Sequence, residues 1–353
     1  MDSALFDEDL VLLGEDGVQF LDPFKPKAYR ISGPSWVNNH AHVLMAGPSV
    51  DWRYLEHYLN AFDYRGLANG TTRLKLTQSA MRQIPIAYPS LDEQGQLVEV
   101  LENHLSRVDV GTRYLYAARR RIERLLSTVL WSETHQLPDA RVVRLDAIAE
   151  VRLGRQRSPK NHSGDRMRPY LRAANVDWNR FRLDDVKEMH FSEAEEVTYR
   201  LEEGDILLTE ASGSPAEVGK SVLYQGIPAE VCFQNTLLRV RSHDADPAFL
   251  QKYLLAEARA GRFMPKSRGV GINHLGRARL AALEIELPGL DEQIAAARRV
   301  DEAIGQLERL RDSVQQQERR AEQLRRGLLD AVFSGRLTGD AGIAGIKKEA
   351  LAG

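Results

Sequence analysis

Two long stretches of the chain place apolar residues at spacings of three and four, with polar residues between them; the pattern misses at Thr112 and Arg119 in the first, and it has one phase skip and an exception at Gln317 in the second. The first carries Val98, Leu101, Leu105, Val108, Leu115, Ile122, Leu126 and Val129, and the second carries Ala297, Val300, Ile304, Leu307, Leu310, Val314, Ala321, Leu324, Leu328 and Ala331. This spacing, sustained over several heptads, is typical of a coiled-coil seam. Because each helix has one apolar face, each needs a partner. The pattern predicts two long helices that pair with each other, and a solitary solvent-exposed helix is the alternative.

The segments that precede these helices repeat one another. The matching strings are Ile84–Gln94 with Leu283–Gln293, Asp9–Leu13 with Asp205–Thr209 at an offset of 196, and Asp51–Asn60 with Asp246–Leu255. Each copy contains short runs rich in β-branched and aliphatic residues, then a short amphipathic helix, then a strand that a proline stops. Strings repeated in the same order predict two β-rich units of one architecture, and hence an α+β fold.

The repeats and the helices divide the chain into five predicted regions. They are a first strand-rich unit at 1–90, a first long helix at 91–137, a second strand-rich unit at 138–290, a second long helix at 291–336 and a flexible tail at 337–353. Pro138 closes the first helix, because proline lacks the amide hydrogen that a helix requires. Asp92 and Asp291 lie in the first helical turns, where a carboxylate suits the positive end of the helix dipole.

The composition is that of a globular protein in a reducing compartment. Of 353 residues, 43% are hydrophobic, and 48 lysines and arginines nearly balance 50 aspartates and glutamates. The single cysteine, Cys232, excludes an intrachain disulfide and a Cys-rich zinc module, and its apolar neighbours predict a buried strand thiol. No apolar run approaches the about 20 residues that span a bilayer, and the acidic N-terminus does not resemble a secretory signal. We therefore expect a cytoplasmic protein without a membrane partner.

Charge is segregated along the second unit. Residues 152–172 hold seven cationic side chains against the single Asp165, a net charge of +6, and an acidic stretch follows between Asp184 and Asp205. Residues 142–196, which include this basic segment, have no counterpart in the first unit. Arginines on a loop between strands suit contacts with phosphates and guanine edges, because a guanidinium donates two parallel hydrogen bonds. A solvated surface face is the alternative interpretation.

Enzyme motifs are absent or incomplete. Gly213–Ser221 approaches a Walker A loop, but the required first glycine falls on Ser214, and the residues that follow predict a strand and not a helix. His40 and His42 would share one face of a strand, without a third metal ligand. The sequence contains neither a G-x-S-x-G elbow nor an H-E-x-x-H motif. We therefore predict a non-catalytic chain with no cofactor and no metal of its own.

Seven short sequence strings, distributed over nearly the whole chain, are informative in combination. In the second unit and helix they are Gly204–Ser221, Val231–Arg241, Leu287–Gln293 and Leu328–Gly339, and in the first unit they are Leu10–Gly17, Trp36–Leu44 and Tyr88–Gln94. In this combination they resemble the DNA-specificity (S) subunit of Type I restriction-modification systems. The resemblance implies two target-recognition domains, separated and joined by two long antiparallel coiled-coil helices.

The resemblance also implies a function and a set of partners. Each target-recognition domain would read one half of a bipartite site in double-stranded DNA. The long helices would dock two methylation (M) subunits, which bind S-adenosylmethionine and carry out the chemistry, and restriction (R) subunits can join the complex. The specificity subunit itself would address these enzymes to DNA without catalysing a reaction.

One departure from the family pattern concerns the first unit. At the offset of 196, residue 1 aligns with Val197, so the first target-recognition domain is expected to be incomplete and to lack the basic segment. We expect a specificity subunit that is truncated at its N-terminus or has a misassigned start. The alternative is a decayed relative that acts only as a coiled-coil scaffold, without sequence-specific DNA binding.

The charge pattern and the resemblance together suggest DNA-contacting residues in both units. In the second unit, Arg155, Arg157, Lys160, Arg166 and Arg168 would contact phosphates or base edges, Lys220, Lys266 and Arg268 would grip the backbone or enter a groove, and Asn273 and His274 would read an adenine edge or a phosphate. In the first unit, the candidates are Asn38, His40, Arg73 and Lys75. For each residue, surface solubility is the alternative role.

Overall fold

The structure, a computed structural model, divides into two compact units. It describes residues 5–70, 73–212, 217–226, 230–264, 273–333 and 347–350. The first unit comprises residues 1–119 and 312–353, and the second comprises residues 120–311. Each unit is therefore a β-rich body together with part of each long helix, and this agrees with the α+β fold predicted from the sequence.

The elements follow the predicted order in both copies. Those that lead to the first long helix are β1 (Phe6–Asp7), β2 (Leu10–Gly14), β3 (Ala28–Ile31), β4 (Pro34–Ser35), β5 (Ala41–Leu44), α1 (Trp52–Ala61), α2 (Gln78–Met81), β6 (Pro85–Tyr88) and α3 (Leu91–Thr134). Those that follow are β7 (Arg141–Arg144), β8 (Ala149–Leu153), β9 (Met167–Leu171), β10 (Val176–Asp177), β11 (Arg180–Phe181), β12 (Lys187–His190), α4 (Glu193–Tyr199), β13 (Ile206–Thr209), β14 (Ala211–Ser212), β15 (Ser221–Leu223), β16 (Cys232–Phe233), β17 (Leu237–Ser242), α5 (Pro247–Arg259), β18 (Asn273–His274), α6 (Arg277–Ala281), β19 (Glu284–Leu287), α7 (Leu290–Phe333) and β20 (Lys347–Ala350).

The first unit is built on a three-stranded antiparallel sheet in the order β3-β2-β5. All five residues of β2 are buried, as expected for a central strand, and Leu13, Leu59 and Ile84 lie in the core beneath it. Asp51 precedes helix α1, and its carboxylate caps the helix by accepting from the backbone amides of Arg53 and Tyr54. A separate two-stranded sheet pairs β6 with β20, which is the part of the predicted tail that the structure describes.

The second unit repeats this sheet and extends it. Its four-stranded sheet has the order β15-β13-β17-β8, so β8 is added beyond the strand that corresponds to β5. A second sheet, in the order β12-β9-β16, covers the opposite face of the unit. Phe249, Leu250 and Leu254 of α5 are fully buried against the larger sheet. The extra strands β8, β9 and β12 come from the segment that has no counterpart in the first unit.

Backbone hydrogen bonds fix how the two units correspond. The amide of Glu15 donates to the carbonyl of His40, and the amide of Glu210 donates in the same way to the carbonyl of Thr236, both at 2.9 Å. Glu15 is therefore equivalent to Glu210, at an offset of 195, and His40 to Thr236, at an offset of 196. The offset of 196 predicted for β2 was thus wrong by one residue, because short apolar strings align equally well in neighbouring registers.

One buried glutamine in each copy explains why the Leu-Asp-Glu-Gln string repeats. Gln94 at the start of α3 accepts from the amide of Asp51 at 2.8 Å and donates to the carbonyl of Pro89 at 2.9 Å. Gln293 at the start of α7 makes the same two bonds, with Asp246 at 2.8 Å and Pro288 at 2.8 Å. Both side chains are almost fully buried, at 0% and 3% exposure. This glutamine clamp therefore joins each long helix to the N-terminus of the preceding short helix.

The two long helices pair in antiparallel orientation, as predicted. In the first unit, Leu101 and Leu105 near the start of α3 pack against Leu329 and Val332 near the end of α7. In the second unit, Leu130 near the end of α3 packs against Val300 and Ile304 near the start of α7.

Two residues predicted for the helical seam lie outside it. The side chains of Leu310 and Leu324 are more than half exposed. Regular spacing places a residue on a face, but the distance to the partner helix decides whether that face is covered.

Candidate nucleic-acid interface

The basic segment of the second unit starts at a close approach between two backbones. Gly154 follows β8, and a Cβ atom at this position would lie 2.2 Å from the carbonyl oxygen of Gln234. Only glycine fits, and the amides on either side are satisfied: Gly154 donates to Leu237 and Arg155 donates to Phe233, both at 3.1 Å. This contact holds the backbone of Arg155 against the β16–β17 turn.

Arg155 is anchored inside the second unit. Its guanidinium forms an ion pair with Glu195 at 2.8 Å and lies 5.0 Å from the centre of the Phe191 ring, with only 13% of the side chain exposed. Glu195 also caps α4 by accepting from the amide of Ser192 at 2.9 Å. The hydrogen bond from Arg155 holds the pKa of Glu195 below its usual range. Arg155 therefore supports the fold of the basic segment from within.

Glu196 joins two further arginines of the basic segment. Arg166 donates to it at 2.8 Å and Arg168 donates to it at 2.9 Å, while both guanidinium groups remain partly exposed. These bonds, led by the one from Arg166, hold the pKa of Glu196 below its usual value. The basic and acidic segments, which are separate in the sequence, are thus paired in the structure.

Arg157 and Lys160 differ from these arginines. Both are exposed, and neither has an ion-pair partner among the described residues. The turn that carries them is fixed by Asn161, which is buried, accepts from the amide of Ser158 at 2.9 Å and donates to the carbonyl of Gln156 at 3.2 Å. The turn therefore presents two unneutralised cations to solvent from a well-fixed backbone.

Lys220 belongs to a cluster around Asp177. Asp177 accepts from Arg182 at 2.6 Å and from Arg180 at 3.1 Å, and Lys220 lies 3.5 Å away with 12% of its side chain exposed. Burial would raise the pKa of Asp177, but the hydrogen bonds from the Trp178 amide and the two arginines outweigh it and hold that pKa well below its usual range. Lys220 also donates to Glu217 at 2.8 Å and is therefore already paired with two carboxylates, while Arg180 and Arg182 extend to the surface.

The other predicted contacts of the second unit lie near β14 and β18. His274 is exposed and its Nδ1 atom lies 2.9 Å from a carboxylate oxygen of Glu210. Asn273 pairs through its backbone with Ser212. Lys266 and Arg268 lie outside the described residues.

In the first unit, the structure brings the four candidates together, since Asn38 also accepts from the amide of His40. Asp16 accepts from Arg73 at 2.9 Å and lies 3.1 Å from Nδ1 of His40, and Lys75 pairs with Glu15 at 2.8 Å. The Lys75–Glu15 pair occupies the same place in its unit as the His274–Glu210 pair. The backbone of Lys75 pairs in an antiparallel β-bridge with Asp16, which follows Glu15, and the backbone of His274 pairs in the same way with Ala211, which follows Glu210. Each unit thus has an exposed basic or imidazole side chain held by a carboxylate at the equivalent position.

The histidine pair predicted on a strand is arranged differently. His40 lies in the turn before β5, where the side chain of Asn38 accepts from its amide at 3.1 Å, and only His42 lies in the strand. The imidazole Nε2 atom of His42 is 2.8 Å from the carbonyl oxygen of Leu76, whereas His40 contacts Asp16. The predicted shared strand face was therefore wrong, because the strand begins one residue later than expected.

Several other sequence interpretations can be compared with the structure. Cys232 is fully buried in a strand, as predicted, and burial raises the pKa of its thiol to about 12. A strand follows the Walker-like string, as predicted, although residues 213–216 lie outside the described residues.

The described residues contain no group of three or more side chains that could hold a metal ion. In the described part of the chain, no helix is long and apolar enough to cross a membrane.

Sequence reasoning missed the acidic partners of the basic segment. Glu195 and Glu196 belong to the acidic stretch that follows the basic segment. The charge pattern alone does not identify them as the ion-pair partners of Arg155, Arg166 and Arg168. One signal was available: Ser192 followed three residues later by Glu195 is the pattern of a helix capping box, which would have placed α4.

Comparisons with known proteins identify the family. The family model described as "Type I restriction modification DNA specificity domain" matches residues 5–113 and 139–314, and the chain belongs to this family. A specificity subunit of the StySPI Type I restriction enzyme from Salmonella potsdam is 24% identical over 305 residues, which cover 81% of this chain and 65% of that protein. The EcoKI specificity subunit from Escherichia coli K12 is 23% identical over the same extent.

Shorter and structural matches agree with this assignment. The putative specificity subunit S.HindORF215P from Haemophilus influenzae is 34% identical over 94 residues, which cover 27% of this chain and 24% of that protein. This chain thus spans less than two thirds of the length of these relatives. A chain from a structural study of complex assembly and conformational transition in the type I R-M system has the same fold, with a TM-score of 0.72 and 19% identity over 92% of this chain and 81% of that one.

Proposed function

We propose that the chain is the DNA-recognition subunit of a Type I restriction-modification complex. The observation that carries the proposal is the match of the DNA specificity family to both repeats, at residues 5–113 and 139–314. In this role the chain provides the address on DNA, and partner subunits provide the chemistry. The two β-rich units, which have the same framework, would each serve one half of a bipartite site.

In the second unit, the turn that carries Arg157 and Lys160 is the proposed primary DNA contact. Its cations are exposed and unpaired among the described residues, so binding a phosphate does not require an existing ion pair to break. Arg166 and Arg168 lie beside them with partly exposed guanidinium groups, and would add contacts while remaining bonded to Glu196. Arg155, held by Glu195 and Phe191, would act by positioning the segment.

Helices α3 and α7 are the proposed docking surface for two methylation subunits. Beyond the face that pairs the helices, exposed apolar side chains include Val110 and Tyr114 on α3 and Leu310 and Leu324 on α7. Apolar residues of this size on a helix surface are typical of an interface with another protein. S-adenosylmethionine would be bound by the methylation subunits, and restriction subunits would join the same assembly in the cytoplasm.

Charge reversal in the turn tests the proposed DNA contact. In the full chain, Arg157→Glu combined with Lys160→Glu should weaken duplex binding about tenfold or more and reduce the slope of log affinity against log salt by roughly 1.8, because each phosphate contact contributes about 0.9. Arg319→Glu combined with Arg320→Glu on α7 makes the same change in charge at two exposed positions and serves as the matched control. Equal losses in the two double variants would show that net charge, and not this turn, governs binding.

Sequence specificity needs a separate measurement. Methylome sequencing of the host with and without this gene should reveal one bipartite motif whose methylation depends on the gene. If the protein binds its methylation subunits but no motif changes, it is a scaffold and not a recognition subunit.

A further inference from the structure

Glu196 is the point at which two arginines of the basic segment meet. Arg166 donates through Nη2 to one carboxylate oxygen at 2.8 Å, and Arg168 donates through Nε to the other at 2.9 Å. The Glu196 side chain is 11% exposed, whereas those of Arg166 and Arg168 are 42% and 31% exposed. The carboxylate therefore lies largely out of contact with solvent, while both cations reach the surface.

Helix α4 fixes the position of this carboxylate. Ser192 and Glu195 form a capping box at the start of the helix, in which each side chain accepts from the backbone amide of the other residue. The amide of Glu196 donates to the carbonyl of Ser192 at 2.8 Å, and the carbonyl of Glu196 accepts from the amide of Arg200 at 2.8 Å. The backbone of Glu196 is thus bonded on both sides, so its side chain is held beside the arginines.

The two guanidinium groups keep further donors for a ligand, since each carries five N–H groups. Arg166 places one on Glu196, and its Nε atom is buried without a hydrogen-bond partner among the described residues. Arg168 places one on Glu196 and one on the carbonyl of Met167 at 3.3 Å. The remaining donors can contact a DNA phosphate while the bonds to Glu196 persist. The phosphate then lies near the carboxylate, and the two negative charges repel each other.

The turn that carries Arg157 and Lys160 has no such carboxylate. Neither of these cations has an ion-pair partner among the described residues, whereas Arg166 and Arg168 share Glu196. Sequence-independent attraction to DNA grows with each cation that neutralises a phosphate. One carboxylate bonded to two of these four cations therefore offsets one positive charge of the surface that would contact DNA.

We propose that Glu196 is a built-in counter-charge that limits sequence-independent binding of the second unit to duplex DNA. The inference rests on the proposed function and adds a residue that sets how strongly the basic segment holds any DNA. Glu196 acts through Arg166 and Arg168 and does not itself contact DNA. Base-edge contacts carry the sequence information, so a weaker attraction to phosphates favours release from non-target DNA.

The test is a gain of affinity in the full chain. Glu196→Gln removes the charge and keeps a side-chain oxygen that can accept from Arg168. Affinity for a labelled duplex of random sequence, measured by fluorescence anisotropy, should rise about fivefold or more, and the slope of log affinity against log salt should steepen by about 0.9. Glu193→Gln is the matched control, because Glu193 is exposed on the same helix without an ion pair among the described residues. It should change the affinity less than about twofold.

Two further variants test whether the arginines transmit the effect. In a chain with Arg166→Gln and Arg168→Gln, adding Glu196→Gln should change the affinity less than about twofold, because the counter-charge has no bonded cation left to offset. Arg168→Gln alone, in which Glu196 stays bonded to Arg166, should weaken binding less than Arg157→Gln does. This comparison tests the proposal independently of whether Glu196→Gln folds, which urea denaturation measures.

The outcomes separate this inference from the proposed function. The inference is overturned if Glu196→Gln and Glu193→Gln raise the affinity equally or not at all, if the gain persists without the two arginines, or if Arg168→Gln weakens binding as much as Arg157→Gln. A parent chain that does not bind duplex DNA would overturn the proposed function as well. Parent binding that depends on Arg157 and Lys160 but not on Glu196 would overturn this inference alone.

Discussion

The two β-rich units of this protein share a framework and differ in what covers it. Both contain three sheet strands in the same order, a short helix capped by aspartate, and a buried glutamine that joins this helix to a long one. Among the described residues, only the second unit has the additional strands β8, β9 and β12, and this added layer carries the basic segment and its acidic partners. The shared framework positions the long helices, and the added layer holds most of the charge proposed to contact DNA.

The largest expected difference between the units is in thiol reactivity at positions 36 and 232, which are equivalent because the amide of Leu5 donates to the carbonyl of Ser35 as the amide of Leu201 donates to the carbonyl of Val231. Cys232 is fully buried with a pKa raised to about 12, whereas a thiol introduced by Trp36→Cys, in a chain that also carries Cys232→Ser, would be solvent-exposed. Because the thiolate is the reactive form, we expect labelling at position 36 to be about a thousandfold faster at neutral pH. Labelling by an alkylating reagent, followed by mass spectrometry, measures both rates. Similar rates would mean that the two positions are equally covered.

The glutamine clamp should be equally important in both units. Replacing Gln94 or Gln293 by leucine removes, in each case, the partner of one backbone amide and of one proline carbonyl, and at Gln94 it also removes the bond to the carbonyl of Ser49. We expect each substitution to lower the free energy of unfolding by about 3 kcal/mol, measured by urea denaturation. Gln315→Leu, at an exposed position on α7, is the control and should change it little. A large loss at one glutamine only would break the structural equivalence of the two clamps.

The smallest effect concerns Asp177, in the part of the second unit that has no counterpart among the described residues of the first. Asp177→Asn should lower the free energy of unfolding by about 1 kcal/mol at pH 7. The expected loss is this small because the two arginine partners are largely exposed, and solvent screens their interaction with the carboxylate. The folded-state pKa of Asp177 is lowered, so its stabilisation is present above the unfolded pKa of about 3.9 and is lost as the pH falls further. The difference between the parent and variant proteins should therefore shrink below about pH 4. A difference that does not change with pH would exclude the carboxylate charge as its source.

Local sequence patterns determined much of the framework. The three-four spacing of apolar residues predicted α3 and α7, and the repeated strings before Gln94 and Gln293 predicted two copies of one unit. The same spacing failed at Leu310 and Leu324, which are exposed. Periodicity reports the face on which a side chain lies, and coverage of that face depends on a partner that is distant in sequence.

The sequence predicted the charge of the candidate site, and the structure determined which of its charged side chains are paired. The sequence alone determined that residues 152–172 are strongly basic and that an acidic stretch follows them. Only the tertiary structure decided that Arg155 is held by Glu195, forty residues away, while Arg157 and Lys160 remain unpaired among the described residues. The physical reason is that charge count is a property of the chain, whereas ion pairing requires atoms within about 4 Å, and folding sets that distance.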